Sequence, residues 1–291
     1  MSYLLEPLVY GFFERALVAS VLVGLVCAVV GVFVVLRGLA FLGDALSHAA
    51  FPGVVIAYLA GLPFYLGAAV AAVGTSLAVG WVQRRGPIRS DTAIGVLFAG
   101  MFAVGVFLFS RIPNYVGDLF GFLFGDVLAI GVGDLISLAA LSVVVLVIVG
   151  VLRKELLFAT FDPLGAAAAG LPVRRLDDLF LALVAIAIVV SLQAVGIILV
   201  VAMLVTPAAT AQLLTIRFGR LVAIAAGIGV IAPVVGLYVS YWLNAASGAT
   251  IVIVESLLFA AALGFRAVAT RPPRRPAERS TRADPVGSAP R

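Results

Sequence analysis

Cysteine, histidine and lysine each occur once in this 291-residue chain, as Cys27, His48 and Lys154. A lone thiol excludes an intrachain disulfide and a thiolate metal cluster. A lone histidine excludes an HExxH metallohydrolase, and no GxxxxGK[ST] run is present to cradle a nucleotide, so any ATP hydrolysis has to reside on another polypeptide. Charge is scarce as well. Only 11% of residues are charged against 64% hydrophobic, and a chain this apolar is a polytopic membrane protein rather than a soluble domain.

What is there is a series of long apolar runs. Ala16–Leu36 carries no charge over 21 residues, enough to cross ~30 Å of hydrocarbon at 1.5 Å per residue. Further runs are Gly38–Leu62, Phe64–Val82, Thr92–Phe109, Leu135–Leu152, Leu179–Leu214, Leu221–Leu243 and Ala249–Phe265. Leu179–Leu214 would be ~54 Å long as one helix, too long for a single span. Splitting it near Gln193-Ala194-Val195-Gly196 predicts an all-α fold of about nine transmembrane segments.

Basic residues accumulate in cytoplasmic loops. With the N-terminus outside, only Arg15 and Arg111 fall on the external side, and 17 of the 19 Lys and Arg residues fall inside. This predicts a multi-pass protein with an external N-terminal segment (1–15), a transmembrane domain (16–268) and a cytoplasmic C-terminus. The net charge of +5 is then a consequence of topology, and nucleic acid is not an expected partner. Met1–Arg15 contains Glu6 and Glu14 and precedes a full-length span, unlike a cleaved signal peptide. The tail 269–291 is rich in Pro, Arg and Ser and is expected to be disordered. Residues 113–126 mix glycine, acid and aromatics, which suits a short interfacial or re-entrant helix.

Small residues recur every four positions at Ala16, Ser20, Gly24 and Ala28, and again at Gly95, Ala99 and Ala103. Such stripes let helices approach closely in lipid and predict packing faces. The longest cytoplasmic loop, 153–178, contains Phe161-Asp162-Pro163-Leu164, then Gly170-Leu171-Pro172. Asp162 suits an N-cap, Pro163 the first helical position and Gly170 a helix stop, so the loop is expected to hold one short helix, either a docking handle or a plain connector.

The costly feature is polar. Asp44 and His48 lie four residues apart within an apolar run, and an ionisable group deep in a bilayer costs roughly 2.5–3.5 kcal/mol, so it normally faces a pathway and finds a partner. On a helix the two side chains share a face with ~6 Å of rise between them and can grip one ion. Imidazole with carboxylate suits Zn²⁺, Mn²⁺ or Fe²⁺. Two protein ligands make a weak site, as a carried ion requires, with no permanently bound cofactor; the competing reading is a polar patch in which Asp44, His48 and Ser47 bond one another. Thr206-Pro207 interrupts an apolar run and either opens a cavity or only kinks a helix. Glu255, the other acid well inside an expected span, is predicted to face the bundle interior, at the outer mouth of an ion route or as a hydrogen-bonded packing contact. A hydrolase using Ser47 and His48 is disfavoured, because adjacent helical side chains diverge by ~100°.

The run Gly31–Arg37, Gly38-Leu39-Ala40-Phe41-Leu42-Gly43-Asp44-Ala45-Leu46-Ser47-His48-Ala49-Ala50-Phe51-Pro52-Gly53 resembles the permease subunit of zinc, manganese and iron ABC importers. Asp91–Gly95, Phe161-Asp162-Pro163, Gly170-Leu171-Pro172, Ala194–Val200, Thr206–Ala211 and Ser247–Val252 continue the likeness in order. The resemblance implies a type II importer permease in the cell membrane of a prokaryote, without enzymatic activity of its own. It also implies a second permease copy, a cytoplasmic ABC ATPase docked on the loop at Phe161, Asp162, Pro163, Leu164 and Gly170, and an external metal-binding protein. Asp44 and His48 would line the ion route. A proton-coupled secondary metal carrier is the alternative. Gly165–Ala169 is smaller than that family's docking helix, and Glu255 is unusual in its last span.

Overall fold

The computed structural model describes residues 6–86, 88–112, 128 and 130–269. The interfacial segment expected at 113–126 and the tail beyond residue 269 lie outside them. The described chain is helical throughout: α1 (Gly11–Leu36), α2 (Leu42–Ala49), α3 (Phe51–Ala60), α4 (Phe64–Arg85), α5 (Ser90–Phe109), α6 (Val132–Val151), α7 (Arg153–Phe161), α8 (Pro163–Ala168), α9 (Val173–Val195), α10 (Ile197–Leu214), α11 (Phe218–Leu243) and α12 (Ser247–Ala269). Eight spans are long and apolar enough to cross a membrane among the described residues, with α2 and α3 together forming one of them. The 23-residue α9 is of equal length, opening on Arg174, Arg175, Asp177 and Asp178 before its apolar run. The break expected within 179–214 falls at Gly196, whose φ of +80° only glycine adopts freely.

The first helix is the centre of the bundle, packed by α10, α11, α6 and α9. Its small-residue stripe is what permits this. A side chain at Gly24 would run into the backbone of Gly229 on α11, and one at Gly31 into the backbone of Leu204 on α10. Ala16, Ser20 and Ala28 on the same stripe are fully buried. The second stripe behaves differently: Ala99 and Ala103 are exposed and Gly95 has open space beside it. Helix α5 packs through other residues, with Ile94 and Gly105 buried. At the end of the bundle where α1 starts and α11 stops, Phe13 packs edge-on against Tyr238 and Tyr241 at 5.3 and 5.7 Å, the composition of an aromatic belt at an interface.

The loop 153–178 holds two short helices where one was expected, and the first turns of α9 extend into it. Helix α7 begins directly after α6, with only Leu152 between them, and so escapes notice as a separate element. Helix α8 is capped as its residues suggest. The Asp162 carboxylate accepts the Gly165 N–H at 2.8 Å, and Pro163 takes the first position. At the other end Gly170 adopts φ +86°, and the N–H groups of Gly170 and Leu171 bond the carbonyls of Ala167 and Ala166, a Schellman stop.

Candidate functional site

The Asp44 and His48 side chains project from α2, the short first half of a broken span. Gly38 at φ +68° turns the chain out of α1 and into this half. The second half starts at Phe51-Pro52, and Pro52 has no N–H to give to the carbonyl four residues back, which is that of His48. The junction can sit deep in the bundle because Gly105 of α5 leaves room for it; a side chain there would meet Phe51 and Pro52. On the opposite side Gly43 rests on Leu204 of α10.

Within this frame His48 Nε2 stands 3.7 Å from Asp44 Oδ1, with the side chains 31% and 35% exposed respectively. That separation is too long for a hydrogen bond. Ser47 is not part of the arrangement, for its hydroxyl is buried and donates to the Gly43 carbonyl of its own helix at 2.9 Å. The His48 ring lies against Phe98 and Phe102 of α5, each at 5.6 Å between centroids. His48 is therefore walled by aromatic rings, while both side chains keep about a third of their surface exposed. Among the described residues no third His, Cys, Asp or Glu joins it.

The other polar positions lie elsewhere. Helix α10 continues through Thr206-Pro207 without a break, Pro207 is buried, and the Thr206 carbonyl accepts the Thr210 hydroxyl at 2.7 Å. The one backbone bond forfeited at a proline is absorbed within a packed helix. Glu255 faces the bundle interior on α12, which packs on α10 and α11. It is 1% exposed and neither carboxylate oxygen has a hydrogen-bond partner. Cys27 is buried with its Sγ 3.6 Å from Ser191 Oγ, a packed core thiol.

One group whose contacts sequence reasoning passed over ties the end of α1, just before the Gly38 turn into α2, to the loop. Arg37, at the end of α1, donates from Nε to Thr160 Oγ1 at 3.0 Å and from Nη1 to Asp177 Oδ1 at 2.8 Å, and its guanidinium lies 4.3 Å from the Phe180 ring centre. Burial draws this guanidinium down from its ordinary value, against the pull of the Asp177 carboxylate. Arg84 makes a parallel ion pair with Asp178 at 2.8 Å. Phe161 and Leu164, on either side of the Asp162-Pro163 cap, are 68% and 84% exposed, an apolar surface with no cover among the described residues.

Residues 9–266 match the ABC 3 transport family. Over 260 residues the chain is 45% identical to the manganese transport system membrane protein MntC of Halalkalibacterium halodurans, covering 89% of both chains. Over 289 residues it is 37% identical to the chelated iron transport system membrane protein YfeD of Yersinia pestis, covering 99% of this chain and 97% of the relative. Among solved structures it superposes on PsaBC from Streptococcus pneumoniae in complex with Fab with a TM-score of 0.77 at 35% identity, covering 87% of this chain and 91% of that one.

Proposed function

The chain belongs to the ABC 3 transport family, and on that premise we propose that it is the permease subunit of an ATP-driven importer whose cargo is a divalent transition metal ion. The observation that carries the site is the Asp44–His48 pair, 3.7 Å apart on one face of a short intramembrane helix and partnered by neither Ser47 nor each other. Two metal bonds of about 2.1 Å span that gap at an angle near ~120°, so one ion can take both ligands with little movement. Water or a backbone carbonyl completes the shell, and the site stays weak enough to release its cargo. Manganese and iron are the ions in the names of its relatives, and zinc takes the same ligand types.

The energy comes from a separate ATPase, since the chain has no phosphate-binding loop of its own. Its docking surface is α8 with the exposed Phe161 and Leu164, placed by the Asp162 cap and the Gly170 stop. The basic residues bordering α1, α4, α6 and α10 support a cytoplasmic position for that loop, with the N-terminus outside, where an extracytoplasmic metal-binding protein would deliver the ion. A second copy of the permease completes the route. Family membership disfavours the secondary carrier.

The test is ATP-dependent uptake of radiolabelled manganese by proteoliposomes holding the permease and its ATPase. Asp44→Asn and His48→Gln should each lower uptake at least tenfold while leaving assembly intact, because loss of a metal's supporting groups alone costs 10–100-fold. Wild-type uptake by either variant refutes the assignment.

A further inference from the structure

Away from the Asp44–His48 pair, α1, α6 and α11 leave between them a cleft of about 510 Å³. Its walls are apolar, formed by Phe33 of α1, Leu146 and Gly150 of α6 and Phe218 of α11, with the Phe33 and Phe218 rings edge-on at 5.4 Å. At one end stand Arg153 and Lys154, the first two residues of α7. Both are exposed, and neither makes an ion pair among the described residues. They follow the last turn of a membrane span, which sets them at the level of lipid headgroups.

We propose that this cleft binds an anionic phospholipid of the surrounding bilayer, its acyl chain along Phe33, Leu146 and Phe218 and its phosphate on Arg153 and Lys154. The occupant follows from charge and polarity together. An apolar cleft open between spans takes a hydrocarbon chain, and basic pockets between transmembrane helices collect anionic headgroups. The chain's own tail is a poor occupant, because residues 270–291 carry six arginines against two acids and would bring like charge to the rim. The proposal rests on the chain's residence in a membrane and is independent of which ion it carries.

The experiment is native mass spectrometry of the full chain, purified in detergent and offered equal amounts of phosphatidylglycerol and phosphatidylcholine. Phosphatidylglycerol should be retained preferentially. Each basic side chain at a membrane surface is worth about fivefold, so the Arg153→Gln/Lys154→Gln variant should lose about thirtyfold of that preference. Gly150→Leu, whose new side chain enters open space rather than a clash, should lower retention of both lipids with no loss of folded protein by thermal unfolding. Equal retention of the two lipids by the wild type, or a preference unchanged in the double variant, would overturn the proposal. So would lipid that binds only after a permease dimer is dissociated, which would assign the cleft to the second copy.

Discussion

Replacing Arg37 with glutamine should uncouple ATP hydrolysis from ion movement while leaving the Asp44–His48 pair in place. The guanidinium joins the end of α1 to Thr160 at the end of α7 and to Asp177 in the first turns of α9. Thr160 is two residues before the Asp162 cap of α8, the helix proposed to dock the ATPase, and Arg37 immediately precedes the Gly38 turn that leads into α2. A hydrogen bond to a charged group contributes about 1.5–3 kcal/mol when shielded. The Arg37 side chain is 12% exposed but Asp177 is 34% exposed, so the ion pair belongs nearer the low end of that range. We expect Arg37→Gln to cost about 2 kcal/mol, and an Arg37/Asp177 double-mutant cycle, read from unfolding in mixed micelles, to give a coupling of about 1–2 kcal/mol. In proteoliposomes the variant should hydrolyse ATP at a rate near wild type and move several-fold less manganese per ATP. A coupling energy near zero refutes the structural part of this reasoning, and an unchanged transport ratio refutes the transmission part.

Removing the Asp162 cap with Asp162→Ala should weaken α8 by about 1 kcal/mol and reduce capture of the ATPase in a pull-down, with metal affinity unchanged. Gly31→Leu should strip the protein of its folded fraction in detergent, because the new side chain would occupy the position of the Leu204 backbone and overpacking against a rigid chain costs at least 1–3 kcal/mol; size-exclusion chromatography reads this directly. Glu255→Met should raise the unfolding free energy by about 1–3 kcal/mol, since a buried polar group with no partner is a net cost. A Met variant of unchanged stability that fails to transport would instead return Glu255 to the ion route.

Much of the fold was legible because the bilayer leaves few choices. Every backbone group must be satisfied internally, so each long apolar run is a helix, and a run of 36 residues has to break; Gly196 supplied the break. The capping of α8 was legible for a different reason, since Asp162, Pro163 and Gly170 act on their own neighbours and need no tertiary partner. The charged start of α9 was not. Arg174, Arg175, Asp177 and Asp178 look like loop in a hydropathy trace, yet Asp177 and Asp178 are drawn into the helical bundle by Arg37 and Arg84, one of them 140 positions away in sequence. Small-residue stripes were half legible. Spacing shows that a helix can be approached closely, but only the neighbours decide whether it is, and α1 has them along its stripe where α5 does not.

The same limit applies to Asp44 and His48, and there it separates two chemistries. An i, i+4 spacing guarantees that a carboxylate and an imidazole share a helical face, and it is equally compatible with a closed polar patch and with an open pair of ligands. The choice depends on what else competes for the lone pairs. Ser47, the nearest competitor, spends its hydroxyl proton on the Gly43 carbonyl. The walls beside His48 are the Phe98 and Phe102 rings, which compete weakly for a lone pair. With both competitors removed and the pair held 3.7 Å apart, the desolvation cost of placing Asp44 and His48 in a membrane is left without an internal partner to offset it. On the proposed function, a divalent cation passing between them would supply that partner, and would do so only while bound.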